Sequence, residues 1–246
     1  MAGLKETKKY TFTVEGETEK WYFNWLEKQI NACEDAEYKV SIVAKVNKSP
    51  SKFVKSQTSF STPSIVHICD VESNEPEHKK EFLDILDQID GANKLGKKIK
   101  YDIGYSNFTF ELWIALHRVN CNGPITHRSQ YIGHINRAFG EKFEDLAHYK
   151  KEDNFKRCLS KLTLNDVKMA IGRAERIMLD NESDPGKKVV IYKKFKYYEE
   201  NPSLTVWKYV KVILDACGVK WAITPLHDIL KWSGDYSYDI LVQCFL

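Results

Sequence analysis

One segment limits the possible folds more than any other. Ser64-Ile65-Val66-His67-Ile68-Cys69-Asp70 is a nearly continuous apolar run that ends in a carboxylate. Runs of this kind form strands covered on both faces, as in parallel sheets flanked by helices. The flanking sequence supplies such a setting. Residues 8–14 alternate aromatic or aliphatic residues with Thr and Lys, a strand pattern that stops at Glu15-Gly16. A helix is predicted from Thr18 to Cys33, with an apolar stripe of Trp21, Tyr22, Trp25, Leu26 and Ile30. A second strand follows at 38–46, and Ser49-Pro50-Ser51 opens a short helix. After the apolar strand, residues 75–90 read as a helix with Phe82, Ile85, Leu86 and Ile89 on one face and Gly91 at its end. A fourth strand is expected at 99–105, then a helix over 108–119 closed by Asn122-Gly123-Pro124. Alternating strands and helices predict a mostly parallel sheet with helices on both sides, which binds ligands at the carboxyl ends of its strands.

The second half reads differently. Residues 129–181 are mostly helical, and the clearest stripe is Val167, Ala170, Ile171, Ala174, Ile177 and Met178 behind Thr163 as N-cap. Residues 181–188 are a polar loop, and a further helix runs from Asn201-Pro202-Ser203 to Cys217. Strand-like pieces at 221–224 and 238–245 close the chain. With 246 residues there is material for one full core. The expected division is an α/β domain over 1–125 and a helical region over 126–246 whose terminal strands complete the fold.

Composition excludes some classes. Hydrophobic residues make up 43% and charged residues 29%, which argues against disorder, and no apolar run approaches the ~20 residues of a membrane span. No apolar segment follows Lys5-Glu6, so a secretory signal is not expected and the chain reads as cytoplasmic. The six cysteines are scattered, without a zinc pattern, and read as reduced and buried. A net charge of +3 permits nucleic-acid binding without demanding it.

Two strands end in acids: Val14-Glu15-Gly16-Glu17-Thr18-Glu19 and Asp70-Val71-Glu72, with Glu75 beyond. In a parallel sheet both groups emerge at one edge, where carboxylates repel one another and raise each other's pKa unless a cation compensates. Mg²⁺, a hard cation that prefers oxygen ligands, suits such a set. Each acid taken singly reads equally as a helix cap or a solvated loop residue. Gly16 would permit a tight turn and the close approach of a ligand.

These residues resemble a known family. Glu15-Gly16-Glu17-Thr18-Glu19 followed by Tyr22-Phe23 resembles the first motif of Toprim domains, and more narrowly the EGxxTExxYF opening of RloB-like (AbiLii-type) proteins, one residue shorter before Thr18. Asp70-Val71-Glu72 resembles the Toprim DxD motif with Glu in the second acidic place. The stretch from Ser106 to His117 resembles the family's SNPxFELWLLLH segment with Phe108 in place of Pro, and Asn201-Pro202-Ser203-Leu204-Thr205 its NPST motif with Leu204 inserted. The resemblance implies a Toprim-like domain over 1–125, related to OLD-type nucleases, that binds Mg²⁺ or Mn²⁺. It further implies a metal-dependent endonuclease acting on RNA (tRNA in some relatives) or DNA in bacterial anti-phage defence, encoded beside an ABC/SMC-like ATPase. By the same resemblance Glu15 takes the general acid/base or metal-ligand place, Asp70 and Glu72 the metal pair, and Glu19 a second-metal place. Ser106, Asn107 and Glu111 fall at the same edge, with Glu111 joining Glu15 and Glu19 as an expected catalytic residue and Ser106 and Asn107 as substrate contacts.

Cations to hold a substrate are sought in Lys150, Lys151, Lys156 and Arg157 and in the tract Val190–Tyr198, where Lys193, Lys194 and Lys196 are interleaved with aromatics. Solvated helix faces, or for the tract a core-facing strand or a partner-binding edge, are the plainer readings. His117 reads as a core or helix-end histidine, and Trp21 and Trp113 as packing residues. The rival function is a catalytically silent scaffold that binds nucleic acid or regulates the ATPase. Association into an oligomer is compatible with all of this.

Overall fold

The structure, a computed structural model, describes residues 5–56, 64–95 and 99–220. Its elements in order are β1 (Thr7–Val14), α1 (Glu17–Ala32), β2 (Lys39–Val46), α2 (Pro50–Ser56), β3 (Ser64–Asp70), α3 (Pro76–Asn93), β4 (Lys100–Asn107) and α4 (Glu111–Leu116). A 3₁₀ turn at Arg128–Gln130 leads into α5 (Tyr131–Phe139), α6 (Leu146–Tyr149), α7 (Glu152–Ser160) and α8 (Leu164–Ser183). Then come β5 (Val189–Tyr192), β6 (Phe195–Tyr198), β7 (Ser203–Leu204) and α9 (Val206–Ala216).

The main sheet has the order β2-β1-β3-β4-β7. Its first four strands are parallel, and the two-residue β7 pairs antiparallel with the end of β4, Ser106 opposite Leu204. The expected α/β architecture is therefore present, with a short antiparallel edge strand from the second half. The apolar β3 sits in the centre, buried from Ile65 to Cys69. Helices cover both faces. One face packs Phe12 and Val14 against Tyr22, Phe23 and Leu26 of α1, Trp113 of α4, and stripes of α8 and α9. The other packs Tyr101 and Tyr105 against Phe53 of α2, Phe82 and Leu86 of α3, and Tyr197. Fully burying one such large apolar side chain contributes roughly 1.5–3 kcal/mol. The first core holds residues from both sides of position 125, so the helical half is packed into the sheet rather than hung beside it.

Local details differ from the periodicity. The helix expected to stop at Gly91 continues to Asn93, because Ala92 is buried and the Asn93 amide bridges to both the N–H and the C=O of Tyr101 on β4. The helix expected over 108–119 is only Glu111–Leu116; Arg173 takes the carbonyls of Leu116 and His117 and ends it. Thr163 caps α8 as expected, in a reciprocal capping box with Asp166. The Val190–Tyr198 tract forms the β5–β6 hairpin. The strand-like pieces expected within 221–246 lie outside the described residues. Of the cysteines that are described, Cys69, Cys121, Cys158 and Cys217 are buried, Cys33 is partly so, and all are free.

Candidate functional site

The carboxyl ends of β1, β3 and β4 meet at one edge of the sheet, and each delivers an acid or its support. Glu15 follows β1, Glu19 lies in the first turn of α1, Asp70 ends β3, and Glu111 starts α4 just after β4. Hydrogen bonds tie them together. Glu15 accepts from the Asp70 backbone N–H at 3.3 Å, and Thr18 donates to Glu19 at 3.0 Å. The Thr109 hydroxyl lies 3.1 Å from Asp70 Oδ2 and 2.5 Å from Glu111 Oε2. It has one proton to give, so it serves one of those two carboxylates at a time.

Burial makes this crowd costly. Glu111 is fully buried and Glu19 is 5% exposed. Burial pushes the Glu15 carboxyl up to about 7, against the lowering effect of the Asp70 N–H and with Glu19 adding to the rise. Burial, then the charges of Glu19 and Glu15, drive Asp70 well above the usual carboxylate range. Glu19 is raised too, first by burial. Asp70 Oδ1 and Glu111 Oε1 are buried and lack a hydrogen-bond partner among the described residues.

The compensating cation is Lys150, at the end of α6, whose ammonium lies 3.1 Å from Glu111 Oε2. Burial alone would lower its pKa, but Glu111, Asp70 and Glu19 outweigh that and raise it. Of the basic residues singled out in the sequence, Lys150 is the one brought to the acids. Arg157 instead forms a two-pronged pair with Glu141, and Lys156 reaches Glu152 and the face of Trp21.

Glu72 is turned partly away. Its carboxylate pairs with Arg128 at 3.0 Å and with His78 at 3.3 Å. It still lines the same open cleft of about 260 Å³ as Glu15, Glu19, Asp70 and Lys150, with Lys48 and Arg128 on the rim. Gly16 lines it also, with an extended backbone that any residue could adopt. A Cβ here would lie 3.0 Å from Glu19 Oε2, so any larger residue would press on that carboxylate.

Four expected substrate contacts are elsewhere engaged. Ser106 and Asn107 are fully buried; Ser106 pairs with the β7 backbone, and the Asn107 amide donates to the carbonyls of Tyr198 and Glu199. They lock the sheet edge and are closed to a ligand. Lys193 is paired with Asp87 and Asp90 near the far end of α3, and Lys194 lies over Phe195. His117 is a core residue held neutral: burial lowers its pKa to about 4, its Nδ1 contacts the Trp113 carbonyl, and its Nε2 contacts Tyr22. Sequence reasoning missed Lys48 and Thr109, which sit in loops, and Arg128, which opens a single 3₁₀ turn, none of them in a periodic segment, and read Trp21 only as packing although it lines the cleft.

Residues 10–213 match the family described as RloB-like protein. The chain belongs to the RloB-like family. That span contains every motif on which the resemblance rested, from Glu15 to Thr205. No curated protein gives a significant match, and no solved structure does. No helix among the described residues of this RloB-like protein is long and apolar enough to cross a membrane.

The donor set suits a hard divalent cation: carboxylate oxygens whose pKa is raised by burial first and by neighbouring carboxylates second, and an unpartnered buried Asp70 oxygen. As the side chains stand, no three His, Cys, Asp or Glu among the described residues form a group able to hold a metal ion. Glu72, engaged by Arg128 and His78, is the carboxylate that would have to turn inward.

Proposed function

We propose that this RloB-like protein is a Toprim-type, Mg²⁺-dependent phosphodiesterase that cleaves RNA or DNA as the effector of a bacterial anti-phage system, together with an ABC/SMC-like ATPase. Mn²⁺ would serve in place of Mg²⁺. The observation that carries the reading is the convergence of Glu15, Glu19 and Asp70 on one cleft, with Glu111 joined to Asp70 through Thr109 and paired with the half-buried Lys150 that lines the cleft. A purely structural surface gains nothing from drawing these acids together out of water, since the desolvation of each must be offset.

Glu15, Asp70 and Glu72 would hold the metal, with Glu19 available to a second ion. When bound there, the metal would supply charge neutralisation at the scissile phosphate and a more acidic attacking water. Glu15, at the mouth of the cleft, is alternatively placed for proton transfer to or from the attacking or leaving oxygen. Lys48 and Arg128 on the rim suit phosphate oxygens.

The test is induced expression of wild type and Asp70→Asn, with and without the partner ATPase and under phage challenge, followed by electrophoresis of total RNA and DNA. Discrete fragments with wild type and none with a well-expressed Asp70→Asn support the enzyme and name its substrate. Equal protection from phage by both proteins would instead favour the silent scaffold.

A further inference from the structure

A second concavity, of about 210 Å³, opens beside the carboxylate cleft between α1 and α7. Trp21 lines both. Trp25 stands one helical turn further along α1 and lines the second concavity with Asn24 and Lys28. Lys156 faces them from α7, its ammonium 5.6 Å from the Trp21 ring centroid. Trp113, which serves the core, is fully buried; Trp21 and Trp25 are only partly buried, while Lys28 and Lys156 are exposed.

We propose that this concavity is a stacking subsite for a single-stranded nucleic-acid segment entering the carboxylate cleft, with bases on Trp21 and Trp25 and phosphates on Lys28 and Lys156. The inference rests on the phosphodiesterase reading and narrows its substrate class. Three features favour this occupant. The surface is continuous with the cleft through one indole. Its cations complement a phosphodiester chain, although Glu152 shares Lys156. Its aromatic faces, that of Trp25 and that of Trp21 once Lys156 swings from the ring to a phosphate, accept any base that has left a stack, whereas a duplex presents backbone and keeps its bases stacked inside. Asn24, exposed on the same helix, offers an amide to a base edge.

The test measures binding of the full chain, in EDTA so that nothing is cleaved, to labelled oligonucleotides of about 12 nucleotides: oligo(U), oligo(dT), an abasic strand and a duplex. The expected result is single strands bound about 10-fold more tightly than the duplex, with Trp21→Ala weakening single strands about 10-fold and leaving the duplex unchanged. Trp21→Phe should restore most of the loss, and the abasic strand should bind wild type as poorly as oligo(U) binds Trp21→Ala. Trp25→Ala serves as a second variant should Trp21→Ala fail to fold by circular dichroism. Equal binding of single strand, abasic strand and duplex, or no loss in either tryptophan variant, overturns the subsite, as does block of the concavity by the partner ATPase without oligonucleotide binding. Asp70-dependent cleavage with neutral tryptophan variants overturns the subsite alone. Absence of both binding and cleavage removes the phosphodiesterase reading with it.

Discussion

The cleft at the end of β3 and the β5–β6 hairpin are the two stretches where charged and chemically active side chains are densest, and they meet opposite ends. In the hairpin the charges stand at the surface: Lys193 meets Asp87 and Asp90, Tyr192 donates to Asp87, and Lys194 lies over Phe195. Around the cleft, Glu19, Asp70 and Glu111 answer to the Lys150 ammonium and Glu15 to Lys48, and two carboxylate oxygens have no partner among the described residues. Exposed pairs are close to neutral energetically, whereas buried, under-compensated charge is tolerated only at a cost. The contrast teaches that charge density in a sequence does not mark a site; desolvated charge without enough counter-charge does.

The sharpest break in that comparison is catalytic. Glu15→Gln is expected to lower cleavage by at least about 100-fold, the scale of a lost proton-transfer group. The double variant Lys193→Ala, Lys194→Ala should change it less than about 2-fold, since surface pairs contribute so little. Gel assays of the same substrate decide it, and comparable losses in both would erase the distinction.

Stability against pH separates the regions next. Glu15 titrates at about 7 when folded and at its ordinary 4.5 when unfolded. Below 4.5 both states hold the proton and stability is complete. Between 4.5 and 7 the unfolded state releases it first, so stability falls as pH rises, by on the order of 2–3 kcal/mol over the range. Denaturant titrations at pH 5 and pH 8 should therefore show Glu15→Gln gaining on wild type at the higher pH. Asp87, lowered by its bonds to Lys193 and Tyr192, runs the other way: its contribution is present above about 3.8 and is lost as pH falls below it. Mg²⁺ should raise the melting temperature more at pH 8 than at pH 5, where Glu15 holds its proton.

A smaller effect is expected of Lys150→Met. Removing the partner of a buried acid costs about 3–5 kcal/mol. The Lys150 side chain keeps 37% of its surface, so about 2 kcal/mol is expected from urea unfolding, partly recovered by Mg²⁺. Smallest is Arg128→Gln. It releases Glu72 from an exposed pair and should tighten divalent-metal binding no more than about 5-fold by calorimetry. Weaker metal binding in this variant would show that Glu72 needs Arg128 to take part.

Much of this molecule was legible beforehand. The apolar β3, the alternating β1 and the stripes of α1 and α8 follow from periods that local sterics and one-sided burial impose. The two acidic clusters could be placed together because strand ends of a parallel sheet share an edge, and the family resemblance then singled out Glu15, Glu19, Asp70 and Glu72 among them. The reach of α3 past Gly91 was not legible, since it depends on an amide clamp to a strand eight residues on. Nor was the burial of Ser106 and Asn107, which needs β7 from a hundred residues away.

By itself, then, the chain determined its elements, its parallel core and the acids at its edge, because those depend on neighbours in sequence and on repeated polarity. Tertiary structure decided which cation answers the acids, which acid turns aside and which tryptophan faces the cleft. Lys150, Arg128 and Trp21 reach the same place from three separate elements, and the sign and size of their effect depend on the desolvation found only where those elements meet.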